Sequence, residues 1–275
     1  MSGPEQLADW RRAAVELAGW AVRTIAAGDP DPARSETKVN AGDWVTPFDR
    51  AVERHVRAEL LARFPDHTVV GEEYGADGGP TDPSVTWYLD PIDGTTNFVH
   101  GVPWVAFSLA GADRHGAAVG VVADVYRGEV FSAVRGGGAF LDGRPVRCAA
   151  GASIAGGILL TEWSRQDAWP GMYDYLPRIS ARHGATRIMG SCALALATVG
   201  AGRAAGAVLP GHYNAWDVMA GVLIAREAGA AVRDRRGDHD GVPLDGVLVA
   251  PGAVADELWH AWVDPVPAEP APAAT

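Results

Sequence analysis

At 275 residues, 48% of them hydrophobic and 21% charged, the chain can bury a substantial core as one large domain or two modest ones. Its formal net charge of −11 leaves no basic face for nucleic acid or for an anionic membrane surface, so neither is expected as a partner. Cys148 and Cys192 offer neither a disulfide framework nor metal-site spacing, and read as buried thiols in a reducing, cytoplasmic setting.

The opening stretch MSGPEQLADWRRAAVELAGW carries acids early and has no apolar h-region, unlike a signal peptide. Leu7, Trp10, Ala14, Leu17, Ala18, Ala21 and Ile25 recur at helical spacing and predict a helix over 5–27. Residues 28–43 are polar and rich in Pro and Gly, which predicts a long loop or a flexible hairpin, and loops of this length are usually mobile or functional. TPFDRAVERHVRAELLARFP predicts a second helix, with Thr46 as N-cap, Pro47 in its first position, Asp49 in its third, and Pro65 ending it. HTVVGEE and TWYLD read as short strands, and 105–147 alternates β-rich runs with Gly and Asp turns, as an antiparallel meander does.

From residue 149 the texture changes to strand–helix alternation. GILLT, TRIMG, AAGAVL and GVLVAPG read as strands; MYDYLPRISARHG, CALALATVGAG and WDVMAGVLIAREAGA, the last stopping at Gly229, read as helices. An α+β subdomain over 1–148 followed by an α/β subdomain over 149–264 is therefore expected. The Pro/Ala-rich end, 265–275, is expected to be a disordered tail.

WYLDPIDGTTNFVHG, residues 87–101, places two carboxylates three apart at the end of a buried strand. Pro91 is expected to end the strand ladder there. Asp93-Gly94-Thr95-Thr96 then looks like a helix start, where backbone N–H groups welcome an anion and Gly94 lets it come close. Taken singly, Asp90 and Asp93 could be a turn former and an N-cap. Yet Glu72 and Glu73 end another apolar strand, Asp217 sits in the first turn of a helix, and Asp43 and Asp49 flank a further helix start. If those ends converge, the carboxylates must protonate or bind cations, since two charges about 4 Å apart repel by roughly 4 kcal/mol at an effective dielectric near 20. Oxygen ligands without His or Cys point to Mg²⁺ rather than zinc. Cations beside an anion-welcoming helix start describe a site for a phosphate ester.

DWVTPFD, GEE, DPIDGTTNF and WDVMAGVLIAREAG, in this order, resemble the signatures of the inositol monophosphatase superfamily, the Mg²⁺-dependent, lithium-sensitive phosphatases; the likeness runs from Lys38 to Gly229. It implies a layered αβαβα fold, α+β then α/β, with an antiparallel sheet in the first half and a mixed sheet in the second. It also implies Glu72, Asp90 and the Ile92 carbonyl as ligands of a first Mg²⁺, with Thr95 nearby, and Asp90, Asp93 and Asp217 as ligands of a second. Glu72 would help hold a weaker third beside the loop carrying Lys38. Gly94 and Thr95 would receive the phosphate next to Asp93. Asp49 and Thr95 would orient and deprotonate the attacking water, with Glu72 in the same catalytic group and Asp43 supporting. A homodimer acting on a small-molecule phosphate ester is implied as well.

The pattern also breaks. Inositol-specific members carry a glutamate seven residues before the last metal aspartate, where this chain has Leu209-Pro210-Gly211. Pro210 lacks even a backbone N–H, so the resemblance does not bring polyol recognition with it. His212, Tyr213 and Asn214 flank the metal-binding helix start instead. Trp163, Ser164, Ser191 and Cys192 fall where relatives line the substrate mouth. An aromatic mouth can stack on a base or an imidazole, which sets histidinol phosphate and nucleotides beside inositol and sugar phosphates; the alternative for Trp163 is a subunit contact. A regulatory protein that keeps the fold without catalysis is the rival of a different class.

Overall fold

The computed structural model describes residues 3–76, 84–164 and 167–264; the expected tail over 265–275 lies outside them. Helix α1 (Pro4–Ala26) buries the apolar stripe seen in the sequence, from Leu7 to Ile25. The following polar stretch is partly ordered: a 3₁₀ turn (Pro32–Arg34) leads into a two-stranded antiparallel ribbon, β1 (Glu36–Thr37) and β2 (Trp44–Val45). Helix α2 (Pro47–Arg63) opens on the expected capping box between Thr46 and Asp49.

Eight strands form the first sheet: β3 (Thr68–Gly71), β4 (Gly75–Ala76), β5 (Thr86–Asp93), β6 (Ala106–Asp113), β7 (Gly116–Asp124), β8 (Glu129–Val134), β9 (Gly138–Leu141) and β10 (Arg144–Val146), with the short helix α3 (Thr95–Val99) after β5. Their spatial order is β10-β9-β8-β7-β6-β5-β3-β4. Every pair is antiparallel except β3–β5. Six strands form the second sheet, which is mixed. β11 (Ile158–Thr161) lies parallel to β12 (Ala185–Ile188) and to β13 (Gly206–His212). β14 (Ala231–Asp234), β15 (Gly237–Asp238) and β16 (Asp245–Ala250) complete it in antiparallel pairing.

Helices α4 (Met172–Ala181), α5 (Cys192–Gly200), α6 (Ala215–Glu227) and α7 (Gly252–Val263) fill the remaining layers. α1 and α2 cover one face of the first sheet through Leu17, Ile25, Val56 and Leu60 against Trp87, Leu89 and Phe107. Its other face packs Ala106, Ala110 and Val122 on Leu194, Ala197 and Leu223 of α5 and α6. The same two helices turn Leu196, Val199 and Val222 toward Ala207, Leu209 and Val247 of the second sheet. α4 and α7 close the far side through Tyr175, Ile179 and Leu258. The layers run αβαβα, as expected. Because α5 and α6 are apolar all round, they read as interior helices. Among the described residues no helix is long and apolar enough to cross a membrane.

Pro91 does not end its strand. Asp90 pairs with Ser108 and Asp93 with Ala106, so three steps on β5 oppose two on β6. The extra residue forms a bulge, which absorbs a proline that has no N–H to donate. Helix α7 and the β14–β15 hairpin also went unforeseen in the sequence.

Candidate functional site

The bulge that accommodates Pro91 brings both Asp90 and Asp93 to the end of β5, 3% and 8% exposed. The Ile92 N–H donates to Asp90 Oδ1 at 2.9 Å, and Thr95 Oγ1 donates to the Ile92 carbonyl at 2.8 Å. Gly94 caps α3 with φ +96°, and a Cβ there would lie 2.9 Å from the Gly190 carbonyl, so the turn admits only glycine. The two carboxylates then diverge. Asp93 Oδ2 accepts from Ser191 Oγ at 2.6 Å and from the Ala193 N–H at 2.7 Å, and Oδ1 accepts from the Cys192 N–H at 3.3 Å. It thus anchors the N-terminus of α5, where a carboxylate is favoured.

Three other elements deliver the remaining acids. Asp217, in the first turn of α6, accepts from the Asn214 N–H at 2.8 Å. Ser108 of β6 donates to the Trp216 carbonyl at 2.9 Å and ties that turn to the first sheet. Asp49, fully buried, accepts from the Thr46 N–H at 2.8 Å and the Thr46 hydroxyl at 2.5 Å through Oδ2, leaving Oδ1 3.4 Å from Thr95 Oγ1. Capping and site geometry are therefore one arrangement at both helices. Glu72 follows β3, its N–H donating to the Leu89 carbonyl at 3.1 Å, and its charge is felt by Asp90.

Burial sets the electrostatics. It pushes Asp49 and Asp93 up to about 6 and Asp217 up to about 7, against the hydrogen bonds that favour their ionised forms. Asp90 lies well above the ordinary carboxylate range through burial first, then the charges of Glu72, Asp93 and Asp217. Lys38 brings a cation to this edge: its Nζ donates to Glu72 Oε1 at 2.8 Å and to Glu73 Oε1 at 2.5 Å. Burial works against the Lys38 charge, but the two carboxylates outweigh it and raise its pKa. Burial likewise lifts Glu73 to about 7. Among the described residues no three side chains already close around a common point, so the acids form an open cluster. Glu72, Asp90, Asp93, Asp217 and the Ile92 carbonyl are oxygen donors without His or Cys. That donor set fits a hard divalent cation such as Mg²⁺.

A cleft of about 580 Å³ opens over the cluster, lined by Asp43, Glu72, Gly94, Thr95, Trp163 and Cys192 among others. Trp163 is 43% exposed at its rim. Ser191 is buried beneath it, bonded to Asp93. The lining among the described residues does not include Pro210, His212 or Tyr213. The Pro210 carbonyl accepts from Arg235 at 3.2 Å, exposed His212 pairs with Asp245 at 3.0 Å, and the Tyr213 hydroxyl accepts from the Gly211 N–H at 3.4 Å.

One lining acid escaped the sequence reading. Glu162 is 4% exposed and accepts from the Met189 and Gly190 N–H groups at 3.3 and 2.7 Å; burial lifts it to about 7. Its signal was there, since GILLTE ends an apolar strand in an acid just as TVVGEE does.

A family model described as the inositol monophosphatase family matches residues 5–266. The chain is 36% identical over 224 residues to Nus factor SuhB of Pasteurella multocida, covering 81% of this chain and 83% of that one. It is 32% identical over 267 residues to an inositol monophosphatase of Mesembryanthemum crystallinum, covering 95% and 98%. Among solved structures it is similar to the extragenic suppressor protein suhB of Bartonella henselae, with TM-score 0.85, 28% identity and 93% and 98% coverage.

Proposed function

The chain belongs to the inositol monophosphatase family, and from that premise we propose that it is a Mg²⁺-dependent phosphomonoesterase acting on a small-molecule phosphate. The observation that carries this reading is the convergence of Glu72, Asp90, Asp93 and Asp217 from three separate elements beside the Asp49–Thr95 pair. Glu72, Asp90, the Ile92 carbonyl, Asp93 and Asp217 would hold two Mg²⁺ ions, with Glu72 shared toward a weaker third. When bound, the ions neutralise the phosphate and lower the pKa of a water.

The chain's own groups account for the rest. Thr95 Oγ1 has one proton and two acceptors, the Ile92 carbonyl at 2.8 Å and Asp49 Oδ1 at 3.4 Å. Once the Ile92 carbonyl is engaged elsewhere, the hydroxyl turns to Asp49 and is free to accept from a water. Asp49, lifted to about 6, is poised to take the proton near neutral pH. The N–H groups at Gly94 and Thr95 hold the phosphate oxygens, with Asp93 behind them. Lys38, Asp43, Glu162, Trp163 and Cys192 border the alcohol that leaves.

A phosphate-release assay with Mg²⁺ tests the reading on inositol 1-phosphate, histidinol phosphate, fructose 1,6-bisphosphate and adenosine 3′,5′-bisphosphate. Release from at least one of them is expected; none from any would sink it. Inositol or sugar phosphates are the first expectation, and the exposed Trp163 keeps histidinol phosphate and nucleotides as the alternative. A second reading, a role exercised through a partner, is favoured by the names of the Nus factor SuhB relatives. It predicts that Asp93→Asn and Asp217→Asn leave the biological role intact. A homodimer is part of the proposal, and light scattering on the purified chain checks it.

A further inference from the structure

Behind the turn that presents Glu72 lies a carboxylate outside every motif considered so far. Glu53 stands on α2, one helical turn after Asp49, and is fully buried. Its Oε2 accepts the Glu73 N–H at 2.8 Å; its Oε1 accepts the Tyr74 N–H at 3.1 Å and Arg57 Nη2 at 2.9 Å. Arg57 reaches on to the Val69 carbonyl at 2.8 Å and the Gly75 carbonyl at 2.7 Å, on the strands that enter and leave the turn. The pair therefore grips the turn through its N–H groups and its flanking carbonyls together. Gly71, at the end of β3, makes room for this: a Cβ there would collide with the Glu53 carboxylate.

A buried ion pair is a weak way to gain stability, because desolvation offsets much of the attraction and apolar replacements often do as well. It is a good way to fix geometry, since each bond is directed and the carboxylate fits one backbone path. The gripped segment is the one that carries Glu72 to Asp90.

We propose that Glu53 is a positioning residue for divalent-cation binding: by holding the Glu73 and Tyr74 N–H groups it aims the Glu72 carboxylate into the acidic cluster. This rests on the proposed role of Glu72 as a metal ligand. Partners that orient a metal ligand from behind are worth roughly 10- to 100-fold in metal affinity when removed, and Glu53 belongs in that range.

Mg²⁺ titration of the full chain by calorimetry, with thermal denaturation alongside, provides the test. Glu53→Ala should weaken Mg²⁺ binding by about 10- to 100-fold, and Glu53→Gln, which keeps one acceptor oxygen, by less. Gly71→Ala, which displaces the same carboxylate without removing a charge, should weaken it too. Its effect should largely vanish in the Glu53→Ala background, as coupling through one shared contact requires. The Mg²⁺ concentration needed for half-maximal phosphate release should shift in parallel. If Glu53→Ala does not fold, Glu53→Gln and Gly71→Ala carry the test. Unchanged Mg²⁺ affinity in the folded variants, with only a lower melting temperature, would overturn the inference. Weakened binding in a chain that releases no phosphate would leave it standing while the phosphatase reading fails. A parent chain that binds no Mg²⁺ would remove both.

Discussion

At one end of the cleft every acid is gripped. Asp49 is held by Thr46, Asp93 by Ser191 and Ala193, Asp217 by Asn214, and each of these bonds involves a helix start. At the other end Trp163 stands 43% exposed on the rim, while His212, paired with exposed Asp245, and Pro210, its carbonyl accepting from Arg235, lie outside the cleft lining. The first end is preorganised: its charges are fixed before any ligand arrives, which is where electrostatic catalysis draws its strength. The second is built from side chains free to change rotamer or be replaced without disturbing a helix cap. A substitution at the second end therefore need not disturb the acids held at the first.

Several substitutions would break or sharpen that contrast. The largest effect is expected from Asp93→Asn and Asp217→Asn, each lowering phosphate release by about 10³-fold or more, the upper end for losing one preorganised electrostatic stabiliser. Circular dichroism should show both folded, since an asparagine oxygen still accepts the capping N–H. Wild-type turnover in both would mean that the gripped end does not perform the chemistry. Asp49→Asn should cost about 10²-fold, the lower end for a general base. Its rate should also lose the rise with pH through about 6 that the buried Asp49 carboxyl predicts. A pH–rate profile identical to the parent's would remove Asp49 from that role.

The gripped end also leaves a signature in stability. Asp49 and Asp93 are raised to about 6 and Asp217 to about 7 in the folded chain. Between the ordinary carboxylate range and those values the folded state binds more protons than the unfolded one. Metal-free stability should therefore fall as pH rises through about 4 to 7. Melting curves in EDTA should shift downward over that window, and Mg²⁺ should restore more at about pH 7.5 than at about pH 5; equal restoration at both would contradict it. The smallest effect belongs to the mouth. Trp163→Ala should change KM by about 2- to 10-fold, the size of one stacking contact, and by more for an imidazole or nucleotide phosphate than for inositol 1-phosphate. Equal changes across the substrates would deny Trp163 any part in choosing among them.

Much of the gripped end was legible in the chain because its acids sit in cap positions, and caps are local. Thr46 with Asp49 and Asn214 with Asp217 announce helix starts and site acids in the same letters. The bulge at Pro91 was not legible, since it depends on how β6 pairs with β5, and register is a property of two strands. Glu53 and Glu162 stayed hidden for a related reason. One looks like any acid in a helix interior and the other like a solvated strand end, and only the packed turns at Glu73 and Gly190 give them partners. Helix α7 could have been found: Val254, Leu258 and Trp262 recur every four residues. Least legible was the cleft wall, because whether His212 and Tyr213 line it depends on β13 and its neighbours in the sheet.

The hold of Ser191 and Ala193 on Asp93 spans about a hundred positions of chain. During synthesis from the N-terminus, Asp90 and Asp93 emerge long before the helix that seats one of them, and Asp217 comes later still. The acidic cluster therefore has no meaning in a partial chain. A fragment ending near residue 148 would carry most of the carboxylates with neither the α5 anchor nor Asp217 of α6. Assembly of the acidic cluster thus reports that α5 and α6 have docked on the first sheet.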